Sequence, residues 1–283
     1  MELIYPYVDI WHETDHMSHV ARCARVCYAS ESASKESDAR LVKSLENKGH
    51  LSMFRHETRY YIIRKSNVGS ELYTKIYNEL RKYTYCPYLD YINYNGIIYI
   101  TLNGDFYRNP KFNKLIELID DYEVNSMEYE SIEDGFNQMR YTFCVVTQIS
   151  TSRELNRVSP NNIAEQSTRY VDFGKKGGIT ICLPHWWDDS SFFKKIIFKT
   201  YWKSCEIMYN LALRFGMKPQ DAREFLPLCT ATKCVYTYSI DEWQHILDLR
   251  YRGVTGKPHP NAKIVASMIA TSLDDLGYNI YNE

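Results

Sequence analysis

The residues best suited to chemistry lie in AEQSTRYVDFG, residues 164–174, where short polar side chains, a carboxylate, an arginine and a tyrosine follow one another with neither a helical nor a strand period. Ser167, Thr168 and Arg169 supply two hydroxyls, backbone N–H groups and a forked cation, a set that grips a phosphate monoester. Arg157 and Arg169 bracket a turn marked by Ser159, Pro160, Asn161 and Asn162, and Arg223 opens a helix in DAREFLP. Taken singly, each arginine reads as a surface ion pair. Taken together they read as a site for an anion, and composition alone says no more than that.

A second candidate comes from a helix start. YSIDEWQHILDLR carries Ser239 and Glu242 at capping-box spacing, so a helix begins there and runs to about Arg250. Its apolar stripe is Trp243, Ile246 and Leu247, and Arg250 falls on the same face. A guanidinium on a core-facing stripe needs a carboxylate, an anion or a polar ligand, because an unpaired buried charge is too costly. The plainer reading is that Arg250 snorkels to solvent from the last turn, where it favours the helix dipole. Asp241 and His245 share the opposite face, one turn apart.

Several elements must position these groups. Residues 15–28 form a helix capped by Asp15, with Val20, Cys23, Ala24 and Cys27 on one face. DARLVKSLENKGH is a second helix, capped by Ser37 and stopped by Gly49. β-Branched and aromatic runs predict strands over 54–64, 139–148 and 232–238. Helices return at FKKIIFKTYWKSCEIMYNLALRFG, ended by Gly216, and at DAREFL. Residues 66–136 mix both signals among many tyrosines and carry no chemistry that can be placed. With no repeat, low-complexity linker or Pro/Gly hinge, the expectation is one domain over 1–283. His12, His16, His19 and Cys23 would share a zinc face on one continuous helix, but an Asp15 cap leaves His12 outside it, so no metal is expected.

Bulk properties set the class. At 283 residues with 45% hydrophobic content, the chain is long enough to bury a sizeable core. Lys and Arg number 34 against 35 for Asp and Glu, so the net charge of -1 offers a polyanion or membrane surface no general attraction. Any anion must be held locally, and neither nucleic acid nor membrane is an expected partner. Tyrosines without a basic excess read as core and interface residues rather than base-stacking platforms. No apolar run approaches a membrane span and the N-terminus has no targeting pattern, which leaves the cytoplasm as the expected compartment. Eight scattered cysteines without a CxxC pair read as reduced, mostly buried small hydrophobes.

QSTRYV, preceded by REL and an arginine and followed by an apolar strand, ICLP and a Trp pair, resembles the flavin-dependent thymidylate synthases. So do AREFLPLCTATKCVYTYSIDEWQHILDLR, GHLSMFRH and ARVCY, which come in the family's order and frame most of the chain; 66–136 matches loosely. The resemblance implies an α+β fold, a mainly antiparallel sheet flanked by helices. It also implies reductive methylation of dUMP to dTMP, with methylenetetrahydrofolate as carbon donor, NADPH as reductant, FAD as cofactor, and a homotetramer with shared active sites. By resemblance Arg250 is the catalytic arginine that stabilises the uracil ring as its N3 anion. Glu154, Arg157, Ser167, Thr168, Arg169 and Arg223 contact the nucleotide, with Ser167 and Arg169 at its phosphate, and Glu165 lies between nucleotide and flavin. His50, Ser52, Arg157, Ser159, Ser239, Asp241 and His245 fall on flavin positions. Where the family carries Arg-His-Arg, seven residues, then Ser, this chain has Arg157, Val158 and Ser159 before Ser167; Met53 replaces the Pro of the Gly-His element. Two alternatives stay open: a related flavoenzyme acting at C5 of a pyrimidine nucleotide, and a non-catalytic nucleotide-binding homologue.

Overall fold

The computed structural model describes residues 1–32, 34–130, 138–158 and 162–280. Two four-stranded sheets, each fully antiparallel, organise the chain. A short parallel pair, β1 (Glu2–Ile4) with β9 (Thr180–Cys182), lies apart from them. The first sheet runs in the order β2 (Tyr7–Trp11), β7 (Arg140–Gln148), β10 (Ala231–Ser239), β8 (Ile163–Glu165). The second runs β4 (Leu89–Tyr94), β5 (Ile97–Asn103), β3 (Thr58–Arg64), β6 (Glu123–Val124). Helices in chain order are α1 (His16–Val26), α2 (Lys35–Asn47), α3 (Lys65–Leu80), α4 (Gly104–Arg108), α5 (Asn113–Ile119), α6 (Ser126–Glu130), α7 (Ile149–Asn156), α8 (Phe192–Arg214), α9 (Pro219–Ala222), α10 (Ile240–Leu247) and α11 (Pro260–Asp275). The architecture is the α+β class that the sequence predicts.

Alternation along β7 and β10 decides which face of the first sheet meets what. Tyr141, Phe143 and Val145, with Cys234, Tyr236 and Tyr238, join Tyr60, Ile62 and Tyr99 of the second sheet and α10 and α11 in the largest core cluster. Trp243 anchors it, edge-on to Phe143 at 5.0 Å and Tyr238 at 4.9 Å, with its indole N–H donating to the Tyr141 carbonyl at 3.1 Å. The intervening residues Cys144 and Val235 pack on Cys23 and Val26 of α1. A separate cluster fills the far side of the second sheet, between β3, β4 and β5 and the helices α3 and α5.

Asp15 caps α1 by accepting from the Ser18 N–H at 2.8 Å, and Ser239 with Glu242 forms the reciprocal capping box of α10, both as predicted. Three expectations shift. α2 starts a turn early, capped by Ser34, because the Ser37 hydroxyl takes Nη2 of Arg25 instead. The strand expected from Phe54 begins at Thr58, since Leu51–His56 winds into a 3-10 turn that buries Phe54 and His56. α10 ends at Leu247 and widens into a π turn, Asp248–Arg252, closed by Gly253 at φ 72°.

Arg140 ties the two sheets together. Its guanidinium donates to the carbonyls of Arg55, Glu57 and Thr237 and to the Thr58 hydroxyl, at 2.9–3.2 Å. Three of these acceptors are backbone carbonyls at the junction of the sheets, and that of Glu57 also accepts from the Gly104 N–H at 3.2 Å.

Candidate active site

α7 is the organising element. It starts where β7 ends and lies against the Ala231 end of β10, so residues on its two sides face different neighbours. On one side Ser152 and Asn156, one turn apart, face β8. The Ser152 hydroxyl donates to Oε1 of Glu165 at 2.8 Å, the Thr232 hydroxyl joins it at 3.1 Å, and the Asn156 amide donates to Oε2 at 3.1 Å. Tyr236 donates to the Asn156 carbonyl oxygen at 2.8 Å, which fixes the amide's orientation. Glu165 is thus held by groups from a helix and a strand, with its rotamer set by packing as well as by hydrogen bonds.

On the other side, α7 receives Arg250. The π turn carries this residue back from the end of α10 so that Nε donates to the Glu154 carbonyl at 2.9 Å, with the Glu154 carboxylate 4.0 Å away. The Arg250 side chain is only 14% exposed, so the guanidinium is largely withdrawn from water, as its position on the helical stripe predicts. Among the described residues no acceptor takes its Nη groups. A fixed, mostly buried fork whose outer N–H groups are untaken among the described residues is a ready partner for a planar anion or carbonyl.

Ser167, Thr168 and Arg169, the residues expected at a phosphate, sit on a turn beyond β8. The Ser167 N–H donates to the Cys27 carbonyl at 3.0 Å, and its hydroxyl oxygen accepts from the Arg169 and Tyr170 N–H groups at 3.1 and 3.3 Å. That tightens the turn and directs Arg169 outward, where Nε reaches Gln220 at 3.4 Å. Gln220 lies on α9 and Arg223 opens the next turn, so two exposed guanidiniums share this stretch of surface; Thr168 is half-buried beside them. Arg157 is the exposed C-cap of α7. Val158, in the position of the expected His, packs against the main core. Ser159 lies outside the described residues.

The expected flavin positions divide. His50 and Ser52 line an open cleft of about 700 Å³ with Arg55, Tyr88, Asp105, Asn109, Lys111 and Phe112. Arg55 donates to Asp105 at 2.8 Å and to the Tyr88 hydroxyl at 2.9 Å, with its guanidinium 4.7 Å from that ring's centre. Sequence reasoning missed this wall, which comes from residues 66–136, and missed Ser152, Asn156, Thr232 and Tyr236 around Glu165. The 3-10 turn under the cleft packs on both β8 and β10. Ser239 is nearly buried with its hydroxyl engaged in the α10 cap, whereas Asp241 and His245 are exposed on the outer side of α10.

A family model described as Thymidylate synthase complementing protein, Thy1, matches residues 122–273, more than half of the chain. The chain belongs to the flavin-dependent thymidylate synthase family. Glu154, Arg157, Glu165, Ser167, Arg169, Arg223 and Arg250 all fall inside the stretch matched to the flavin-dependent thymidylate synthases, and His50 and Ser52 fall outside it. No curated protein sequence matches the chain. Among solved structures, it is similar to a UMP/dUMP methylase PolB from Streptomyces cacaoi bound with 5-Br dUMP, at 17% identity and TM-score 0.45 over 98% of this chain and 93% of that one. The same methylase bound with 5-Br UMP gives 17% and 0.45 over 97% and 92%. No helix among the described residues is long and apolar enough to cross a membrane, and none of their His, Cys, Asp and Glu side chains cluster as a metal site.

Proposed function

We propose that this protein is a thymidylate synthase that converts dUMP to dTMP, taking the carbon from methylenetetrahydrofolate and the reducing equivalents from NADPH through FAD. The carrying observation is Arg250: a guanidinium 14% exposed, held at Nε by a backbone carbonyl, with its Nη groups untaken among the described residues. Beside a uracil ring such a fork stabilises negative charge at N3 and the adjacent carbonyl oxygen without reorganising, so electrostatics and positioning activate the ring and no cysteine nucleophile is needed. None of the four fully buried cysteines suits attack: burial holds the thiols of Cys23, Cys144, Cys182 and Cys234 above their ordinary range. Ser167, Arg169 and Arg223 grip the phosphate, while Glu154 and Glu165 orient the nucleoside from the two sides of α7.

The donor set of the His50 and Ser52 cleft fits a flavin nucleotide. Lys111 supplies a cation for a pyrophosphate, Tyr88 and Phe112 flat apolar surface for a ring system, and Ser52 and His50 polar contacts at its edge, while Arg55 is held by Asp105 in the wall. FAD supplies hydride-transfer chemistry when bound; the protein's part is to bind it, orient it and exclude water. The assembly is a homotetramer in the cytoplasm.

The test is dTMP formation from dUMP, methylenetetrahydrofolate and NADPH by the FAD-loaded protein, after recording the visible spectrum of desalted enzyme. A retained flavin that bleaches with NADPH and dTMP in the product supports the proposal. A related flavoenzyme acting at C5 of a pyrimidine nucleotide would instead retain flavin and bind dUMP yet form no dTMP. Val158, packed against the core in place of a His, favours as second reading a non-catalytic nucleotide-binding homologue, which would bind dUMP as colourless protein.

A further inference from the structure

α8 buries one side on Trp187 and the β1/β9 region through Trp202 and Tyr209, yet its other side is not polar. Phe193, Ile197, Ile207 and Leu211 are 77%, 67%, 55% and 41% exposed. With Thr200 and Ser204, also exposed, they recur at alternating steps of four and three residues, the spacing of a seam that packs against a second helix. The seam is mirror-symmetric about Trp202. Phe193 mirrors Leu211, Ile197 mirrors Ile207, and Thr200 mirrors Ser204; Ile196 and Met208, 44% and 47% exposed, form a further pair along its flank. A two-fold axis through the helix midpoint therefore sets large side chains against large ones in an antiparallel pair, and the small ones meet where the helices approach most closely.

We infer that the outer face of α8 docks on the same face of a second copy of this chain, antiparallel, with the two-fold axis at Trp202. The available area suffices: the exposed fractions of these side chains and of Phe192, Tyr201 and Phe215 amount to on the order of 900 Å² per chain, against the roughly 800 Å² per partner of a stable interface. Lys194, Lys199 and Lys203 along the flanks would also suit an anionic lipid surface; the mirror symmetry of the seam about Trp202, which a lipid surface does not call for and a two-fold axis does, favours a second copy. This pairing stands whether or not the chain turns over dUMP.

Light scattering and sedimentation of the full chain test it. Wild type is expected at a multiple of the 33.4 kDa chain mass, and Ile197→Lys with Ile207→Lys at half the wild-type value with an unchanged circular dichroism spectrum. A monomeric wild type, or an unchanged mass in a folded double variant, overturns the inference. Should the double variant not fold, cross-linking decides. In a Cys205→Ser background, Thr200→Cys mixed with Ser204→Cys should join under copper phenanthroline far more than either alone, since two copies of residue 200 lie beyond disulfide reach in the antiparallel register. Equal yields from each variant alone overturn the register. A wild-type monomer that floats with phosphatidylglycerol vesicles overturns the choice of partner.

Discussion

The surroundings of α7 and the cleft beside His50 are both lined by polar groups, yet they are built differently. Around Glu165 every directing group stands on a helix or strand: Glu165 ends β8, Ser152 and Asn156 are one helical turn apart, and Thr232 and Tyr236 share one face of β10. Geometry there is fixed before any ligand arrives, which suits a step that depends on placement to within a fraction of an ångström. The cleft is made of turns, a 3-10 segment and the short α4 region, and its best-held member, Arg55, is paired with Asp105 inside the protein. Such a surface can hold a ligand, but it constrains its reacting atoms less. The family match divides the molecule along the same line, covering the α7 groups and leaving out both His50 and Lys111.

The sharpest way to break that comparison is Arg250→Ala. Removing a preorganised donor costs about 10²–10³-fold in turnover, or roughly 3–4 kcal/mol. dTMP formation should fall by that factor while retained flavin, read from the spectrum, is unchanged. Full turnover would remove the α7 surroundings from the chemistry altogether. The next largest effect should come from Arg140, which belongs to both regions because it ties β7 to the turn beneath the cleft. Arg140→Met removes four hydrogen bonds to buried acceptors and should lower unfolding stability by about 3 kcal/mol in urea titration. A loss under 1 kcal/mol would show that the guanidinium does not hold the two sheets together.

His56 lies on the same seam and makes its effect pH-dependent. Nδ1 bonds the Thr237 hydroxyl at 2.8 Å, Thr237 bonds Thr142, and Thr142 reaches His19 at 3.2 Å, so two buried imidazoles share one chain of hydroxyls. Among the described residues, Nε2 of His56 has no hydrogen-bond partner. Burial first, then the nearby His19, Arg140 and Arg55, pull its pKa down to about 3. An unfolded chain takes up this proton as pH falls below about 6.5, and the folded one does not until about 3, so stability is lost as the pH falls through that window. Between pH 7 and 5 the loss from this one group is about 2 kcal/mol. His56→Gln should flatten that limb of the stability curve; an unchanged slope would mean that the imidazole charges inside the fold. His16 acts in the opposite sense. Although burial pulls its pKa down, Glu123 and Glu13 outweigh that and raise it to about 9, so its contribution is present below about 6.5 and lost as the pH rises toward 9.

Sequence alone showed the α7 half far better than the cleft, for physical reasons. Asp15, Ser239 and Glu242 cap helices through bonds within three residues, and local bonds leave local signals. Arg250 was legible because helical periodicity placed it on a buried stripe, and the π turn kept it there. Ser152 and Asn156 were not legible as the partners of Glu165, because what joins them is the pairing of Cys234 with Glu165 across two strands, a contact of long sequence separation. The hairpin β4–β5 did carry a local signal. Asn95 and Gly96, at φ 50° and 76°, make the two-residue turn that such a dipeptide favours, but the tyrosines around it blurred the strand period. Val158 shows the limit of register: spacing from Arg157 to Ser167 survives while the residue between turns inward to the core.

The smallest expected effect bears on the cleft itself. Lys111 is exposed, and its backbone N–H is held by the Asn109 side chain at 3.2 Å, so the ammonium is presented at the rim by a fixed turn although it is free to move. An exposed cation facing a phosphate is worth about 1 kcal/mol or less, screened by salt. Lys111→Ala should therefore weaken FAD binding about fivefold at low salt and less at 0.5 M, measured by fluorescence quenching of the flavin, with dUMP affinity unchanged. That outcome would assign the segment outside the family match to cofactor capture and leave the chemistry with α7. A variant that instead lost dUMP binding and kept FAD would reverse the assignment, placing the nucleotide in the turn-built cleft and leaving the rigid network around Glu165 with the flavin.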